Sequence, residues 1–99
     1  GLYVEAGSDI YIENVTADGN GTSGVYGSGV ELYTAGLATV GGTNAFINNY
    51  ADGLFIDAEG NIFIYDSNAN GNGGSGIFLT SNSIVFVPIL IPISFIACP

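Results

Sequence analysis

Short segments in which apolar and polar side chains alternate recur along the chain. In the first of them, Leu2, Val4 and Ala6 would point to one side of an extended strand, and Tyr3 and Glu5 to the other. A period of two is typical of β-strands and differs from the spacing of an amphipathic helix. The sequence therefore predicts an all-β fold made of short strands.

These segments belong to an internal repeat. Residues 1–23 and 53–75 align without a gap and are identical at ten of 23 positions. A looser copy lies between these two segments, and a partial copy follows residues 53–75. The repeat divides the chain into coils of residues 1–28, 29–52, 53–75 and 76–87, with residues 24–28 as an insertion and residues 88–99 outside the pattern.

Each repeat unit has the length of one turn of a solenoid. Such a unit is too short for two helices or a propeller blade, and Gly- and Asn-rich turn sequence ends it. Stacking pairs equivalent strands in parallel, which gives a solenoid of about three and a half coils. The predicted inward columns are Leu2/Val30/Leu54/Ile77, Val4/Leu32/Ile56/Leu79, Ile10/Ala38/Ile62/Val85, Ile12/Val40/Ile64/Val87 and Ala17/Ala45/Ala69.

Asparagine recurs at one turn position of the repeat, as Asn20, Asn48 and Asn72. Stacked carboxamides can hydrogen-bond to one another along the solenoid axis and hold the turn backbone. A polar row that faces a ligand is the other interpretation. Because Asn in a Gly-rich turn is already explained by turn chemistry, the pattern favours a structural Asn ladder.

The recurring pattern G-[LIV]-x-[LIV]-x-A…[IV]-x-[IV]…A-x-x-N-G covers residues 1–87. It resembles the repeats of right-handed parallel β-helix proteins, the pectate-lyase-like and adhesin-like superfamily. The resemblance implies a right-handed parallel β-helix and a fragment of a longer protein. It does not define a function, because the same scaffold carries lyases, hydrolases, epimerases, phage tailspikes and adhesins.

The catalytic residues of such enzymes are missing from this chain. The lyases use an Arg base with Ca²⁺, and the hydrolases use clustered Asp supported by His, Lys or Arg, whereas this sequence has no Arg, Lys or His. In the predicted columns Glu5 stacks on Tyr33, and Glu31 lies between Tyr3 and Phe55, so no two acids are stacked neighbours. We expect a non-catalytic segment whose acids keep the surface soluble; a spaced carboxylate pair for glycoside hydrolysis is the alternative.

Calcium is the one cofactor that the sequence leaves open. Asp18, Asp66 and the Asn-rich turns offer hard oxygen ligands. Residues 70–76 faintly resemble the glycine-rich nonapeptide Ca²⁺ repeats, but they lack the Asp of those repeats and occur once. We therefore predict no metal site and no cofactor.

The charge pattern excludes two classes of partner. Nine acids and no Lys, Arg or His give a formal net charge of −9. We therefore expect no nucleic-acid partner, because the chain cannot neutralise phosphates, and no association with an anionic membrane surface. An acidic, Gly- and Asn-rich composition with a single Cys favours an extracellular or cell-surface protein. Because a short stack exposes unpaired strand edges at its ends, we also expect end-to-end self-association.

Aromatic side chains recur in two outward columns. Rings in a row can stack on sugar rings, which favours carbohydrate contact. The alternatives are cross-strand stabilisation of the sheet and cover by another part of the protein. The columns are Tyr3, Phe55 and Phe78, interrupted by Glu31, and Tyr11, Phe63 and Phe86, interrupted by Thr39.

The composition changes abruptly after Val87. Residues 88–99 contain no charge and no Gly, and Pro88 and Pro92 would break a helix. The tail is a strand-like continuation, a hydrophobic anchor, or sequence from outside the original reading frame, and the abruptness of the change favours the last.

The sequence thus predicts a structural or binding segment of a secreted or cell-surface β-helix protein. Adhesion or contact with a polysaccharide or cell-surface glycan is its expected role. The alternative is a non-catalytic portion of a β-helix polysaccharide lyase or glycoside hydrolase.

Overall fold

The structure, a computed structural model, describes residues 1–22 and 27–87, together with the backbone of residues 95–97. Within these residues every regular element is a β-strand, and every strand pair is parallel. Consecutive strands along residues 1–87 lie in different sheets, and each strand pairs with its equivalent one coil away. The fold is a parallel β-solenoid, as the alternating segments and the repeat length predict. In this part of the chain no helix is long and apolar enough to cross a membrane.

The first sheet stacks the first strand of each coil. Leu2 pairs with Val30, Val30 with Leu54, and Leu54 with Ile77. These separations equal the coil lengths that the repeat predicts, and the two inward columns predicted for this sheet are correct. Its strands are β1 (Leu2–Ala6), β4 (Val30–Thr34), β7 (Leu54–Ala58), β10 (Ile77–Ser81) and β12 (Phe95–Ala97).

The second sheet stacks the second strand of each coil. Ile10 pairs with Ala38, Ala38 with Ile62, and Ile62 with Val85, as predicted. In the neighbouring predicted column, Ile12 pairs with Val40 and Val40 with Ile64, as predicted. Its fourth member, Val87, lies just beyond the last strand of the sheet. The strands are β2 (Ile10–Glu13), β5 (Ala38–Gly41), β8 (Ile62–Ile64) and β11 (Val85–Phe86).

The inward side chains of these sheets meet in one apolar core. From Val30 to Leu79 the members of the predicted inward columns of the first two sheets are fully buried, whereas Leu2 in the first coil is 38 % exposed. Burial of these columns is the main favourable term in folding, since each coil covers the apolar side chains of the next. Within the described residues, every buried side-chain nitrogen or oxygen has a hydrogen-bond partner.

The third sheet corrects one predicted column. Ala17 pairs with Phe46, and Thr16 pairs with Ala45. Phe46 is fully buried whereas Ala45 is only half-buried, so the predicted column Ala17/Ala45/Ala69 is wrong in its middle member. The strands are β3 (Thr16–Asp18), β6 (Asn44–Ile47) and β9 (Ser67–Asn68).

An extra residue in the turn between β5 and β6 causes this shift. Phe46 lies one residue further from the inward Val40 than Ala17 lies from Ile12. The turn uses Gly42 at a φ of 68°, a left-handed conformation that Gly adopts without strain. Because successive side chains of a strand point to opposite faces, a one-residue shift exchanges the buried and exposed sets.

The same shift corrects the predicted Asn ladder, which consists of Asn20, Asn49 and Asn72. Asn20 donates from Nδ2 to Asn49 Oδ1 at 2.8 Å, and Asn49 donates from Nδ2 to Asn72 Oδ1 at 3.0 Å. Asn48, the residue predicted for the middle position, is exposed at a φ of 57° and donates to Asp18 Oδ1 instead. The stack of amides is therefore internal to the protein, in agreement with the structural interpretation.

Part of the tail continues the first sheet. The strand β12 runs parallel to β10, with Phe95 opposite Phe78. Along the sequence, Phe78 and Phe95 are fewer residues apart than Leu54 and Ile77 are, so the tail does not follow the spacing of the repeat. A strand-like continuation was one of its three interpretations, while an origin outside the reading frame stays a prediction. Residues 88–94 and 98–99, and residues 23–26 at the predicted insertion, lie outside the described residues.

Candidate functional site: an aromatic row on the first sheet

The outer face of the first sheet carries the first predicted aromatic column. Tyr3, Glu31, Phe55 and Phe78 are directly opposite one another in the strand register. Phe55 and Phe78 stack with ring centroids 5.1 Å apart and an interplanar angle of 14°. Tyr3 remains 59 % exposed at the start of the column. Three of the predicted contact residues are thus brought to one face.

Tyr33 closes the gap that Glu31 leaves in this column. Tyr33 lies two residues further along β4 on the same face, and its ring centroid is 5.3 Å from that of Tyr3 and 5.5 Å from that of Phe55. The result is a continuous series of four rings, called here the aromatic row. Its members are Tyr3, Tyr33, Phe55 and Phe78.

Sequence reasoning placed Tyr33 in a column between two acids and did not assign it to the ring face. The sequence signal for Tyr33 is its position two residues after Glu31, the residue that interrupts the aromatic column. This places Tyr33 diagonally from the rings of the neighbouring strands. Diagonal neighbours on one face of a sheet lie within reach of aromatic side chains. The Tyr33 ring lies between those of Tyr3 and Phe55 and fills the gap beside Glu31.

Carboxylates border the middle of the aromatic row. A shallow depression beside Tyr33 is lined by Glu5, Asp57 and Glu59, together with Ala6, Thr34 and Ala35. Burial raises the pKa of Tyr33, and the negative charge of Glu31 and Asp57 raises it further. A side-chain hydrogen bond between Tyr33 and Glu31 also contributes to the raised pKa, so Tyr33 is tied to this carboxylate.

The second predicted column lies on the second sheet and is less continuous. Tyr11 is separated from Phe63 by Thr39, and it is 62 % exposed. Phe63 and Phe86 have ring centroids 6.3 Å apart at an interplanar angle of 55°. Tyr65 lies at the same centroid distance from Phe86. The structure thus forms a ring cluster at one end of this face and leaves Tyr11 outside it.

Tyr11 is engaged with its own coil and the next. Its hydroxyl lies 3.4 Å from Glu13 Oε2, and the Glu13 carboxylate raises the pKa of Tyr11. The Tyr11 ring also covers Gly41, since a Cβ at that glycine would meet the hydroxyl at 2.6 Å. These contacts hold the ring against the sheet.

The residues considered for calcium serve the turns. Asp18 accepts a hydrogen bond from Asn48, and Asp66 accepts one from the Thr43 hydroxyl at 2.9 Å. In the run 70–76, Asn70 donates to Asn68 Oδ1. No group of three or more His, Cys, Asp or Glu placed to hold a metal ion occurs among residues 1–22 and 27–87.

Comparisons with known proteins bear on the fold and leave the role of the aromatic row open. No curated protein and no solved structure matches the chain. A family model does match, and it is described as a right-handed β-helix region. The match covers residues 1–87, which are the repeat that the sequence defines and the coils that the structure stacks. The chain belongs to the right-handed β-helix family.

Proposed function

We propose that this chain is a binding segment of a secreted or cell-surface β-helix protein and that its aromatic row contacts carbohydrate. The observation that carries the proposal is the continuity of the row, in which neighbouring ring centroids are between 5.1 and 5.5 Å apart across four coils. A row of rings on an outer sheet face is typical of surfaces that contact a ligand or partner, and this supports the proposal.

The chemistry of the row fits the apolar face of a sugar ring. Aromatic side chains offer large, rigid faces at low entropic cost, and the C–H groups on one side of a pyranose pack against them. The hydroxyls of Tyr3 and Tyr33 and the carboxylates beside them can bond to sugar hydroxyls. Because the row runs along the stacking direction, a linear glycan would lie across successive coils.

The charge around the row selects among glycans. Glu5, Glu31, Asp57 and Glu59 surround Tyr33, and the whole chain carries a formal net charge of −9. Negatively charged polymers such as polyuronates would be repelled, and this repulsion is strongest at low ionic strength. The proposed ligands are therefore neutral glycans.

The test compares variants on the first and the second sheet. Binding of the full chain to cellohexaose, mannohexaose and a galacturonic acid hexamer is measured by isothermal titration calorimetry. We expect binding to at least one neutral hexamer, no binding to the galacturonate, and loss of the binding on Tyr33→Ala or Tyr3→Ala. Tyr11→Ala is the matched control, because Tyr11 is 62 % exposed against 59 % for Tyr3 but lies on the second sheet.

Tyr33→Phe separates the ring from its hydroxyl. This variant keeps the stacking surface, so it should retain most of the affinity that Tyr33→Ala loses. Circular dichroism of each variant confirms that the β-structure persists. The proposal is contradicted if the folded chain binds no neutral hexamer, or if Tyr11→Ala weakens binding as much as Tyr33→Ala does.

A further inference from the structure

The third coil contains two Asn-Gly pairs in succession, Asn70 with Gly71 and Asn72 with Gly73. In such a pair the glycine amide nitrogen can attack the carboxamide carbon of the Asn and form a cyclic succinimide. Glycine favours this reaction because no side chain hinders its nitrogen or restricts its backbone. The two pairs share the same chemistry, so a difference between their rates must come from the fold.

The fold holds both reacting groups of the second pair. Asn72 Oδ1 accepts hydrogen bonds from the backbone N–H and the Nδ2 of Asn49, and Asn72 Nδ2 donates to the Phe46 carbonyl. The amide of Gly73, which would be the nucleophile, donates to the Asn49 carbonyl at 2.8 Å. Cyclisation of this pair therefore requires local opening of the Asn ladder, and this requirement lowers its rate.

The first pair lies outside the ladder. Asn70 and Gly71 are both exposed, and Gly71 has a φ of 72°. The Asn70 carboxamide donates from Nδ2 to Oδ1 of Asn68, which is exposed as well. Because water can replace a hydrogen bond at the surface at little cost, this contact does not keep the Asn70 side chain from the Gly71 amide.

We propose that Asn70 is a site of spontaneous deamidation in the folded protein and that the ladder protects Asn72 from the same reaction. The Gly71 nitrogen forms a bond to Cγ of Asn70, and Nδ2 leaves as ammonia with the proton that the Gly71 amide gives up. Water then opens the succinimide. Attack at the side-chain carbonyl leaves Asp, and attack at the backbone carbonyl leaves isoaspartate, in which the chain continues through the former side chain.

Isoaspartate at this position changes the contact between the second and third coils. The backbone N–H of Asn48 donates to the Asn70 carbonyl at 3.1 Å. The next residue is tightly placed, since a Cβ on Gly71 would lie 2.5 Å from Asn48 Oδ1. Isoaspartate turns the Asn70 carbonyl into a free carboxylate and lengthens the backbone by one carbon. The third coil then loses its register with the second directly beside the ladder.

The experiment follows both pairs in one molecule. The full chain is aged at mildly alkaline pH in heavy-oxygen water, so that each deamidated residue gains one heavy oxygen. Glutamyl endopeptidase then releases a fragment that carries both pairs, because Glu59 is the last Glu of the sequence. Fragmentation in the mass spectrometer locates the label. In the folded chain Asn70 should convert about tenfold faster than Asn72 or more, since Asn72 reacts only from an opened state.

Two controls separate the fold from the local sequence. In concentrated urea, where the ladder is lost, the two pairs should convert at similar rates. Asn70→Gln is the matched variant, because Gln forms its larger cyclic imide far more slowly. Ageing should lower the urea midpoint of the unaltered chain and leave that of Asn70→Gln unchanged.

Two rate measurements would overturn the proposal. The first is equal conversion of Asn70 and Asn72 in the folded chain, and the second is conversion of Asn70 in urea only. An unchanged urea midpoint after Asn70 has converted to isoaspartate would overturn the loss of register between the coils.

Discussion

Asn49 and Asn20 are joined by two hydrogen bonds that end on one oxygen. Asn49 Oδ1 accepts from the backbone N–H of Asn20 at 3.0 Å and from its Nδ2 at 2.8 Å. Asn49 Nδ2 donates to the Ala17 carbonyl and to Asn72 Oδ1, each at 3.0 Å. One side chain thus connects three coils. Because Asn49 is only 2 % exposed, water cannot take over these bonds if the carboxamide is lost.

The first prediction concerns the centre of the ladder. Asn49→Ala should lower the free energy of unfolding by about 2–4 kcal/mol, since several buried donors and acceptors lose their partner. Urea denaturation of the full chain measures the change. Asn48→Gly is the control, because Gly tolerates the left-handed φ of 57° and Asn48 is exposed. Its effect should stay within about 0.5 kcal/mol, and equal effects of the two variants would refute the corrected ladder.

The second prediction tests the register of the third sheet. Phe46 is the largest fully buried side chain of the described core, so Phe46→Ala should lower the free energy of unfolding by about 3–5 kcal/mol through the cavity it leaves. Phe86→Ala makes the same chemical change at a residue that is 46 % exposed and should be much milder. A mild effect of Phe46→Ala in urea denaturation would indicate that Ala45, and not Phe46, is the inward residue of this strand.

The third prediction explains the glycine at the start of each coil. A Cβ on Gly53 would lie 2.5 Å from the Gly76 carbonyl oxygen and 2.6 Å from Asn72 Nδ2. Gly53→Ala must displace backbone or ladder atoms, so its thermal midpoint should fall clearly. Gly7→Ala is the matched control, because nothing lies within 4 Å of its added Cβ. That variant should be neutral or slightly stabilising, and a similar fall for both would contradict the close coil contact at Gly53.

The fourth prediction concerns alkaline pH. A fully exposed Tyr has a pKa of 10.0, and burial and the nearby carboxylates raise the pKa of Tyr33 above this value. The folded chain therefore holds this proton more tightly than the unfolded chain. Its contribution to stability is complete below pH 10.0 and is lost as the pH rises through the folded pKa.

The measurement is the ultraviolet titration of tyrosinate, taken as the difference between the chain and its Tyr33→Phe variant. Glu31→Gln removes one of the charges that raise the pKa of Tyr33 and should move it back toward 10.0. Glu13→Gln is the control, since Glu13 acts on Tyr11. A Tyr33 that titrates identically in the chain and in the Glu31→Gln variant would argue against the packing of Tyr33 beside this acid.

The candidate site shows where sequence reasoning stops. The column Tyr3, Glu31, Phe55 and Phe78 follows from the repeat alone, because the strand register places equivalent positions of the repeat opposite one another. The closing of its gap by Tyr33 does not follow from a column pattern. It depends on the direction in which one side chain leans across the sheet, and that is decided by packing against the rings on either side.

The sequence by itself determined the solenoid, its first two sheets and the length of its coils. Its alternation of apolar and polar residues is long enough there to allow one register only. The third sheet was decided by the tertiary structure. Its strands are short, and the second coil offers two adjacent candidates for the ladder, Asn48 and Asn49. In the second coil the turn between β5 and β6 contains one extra residue, and the register across it places Phe46 in the core and Asn49 in the ladder.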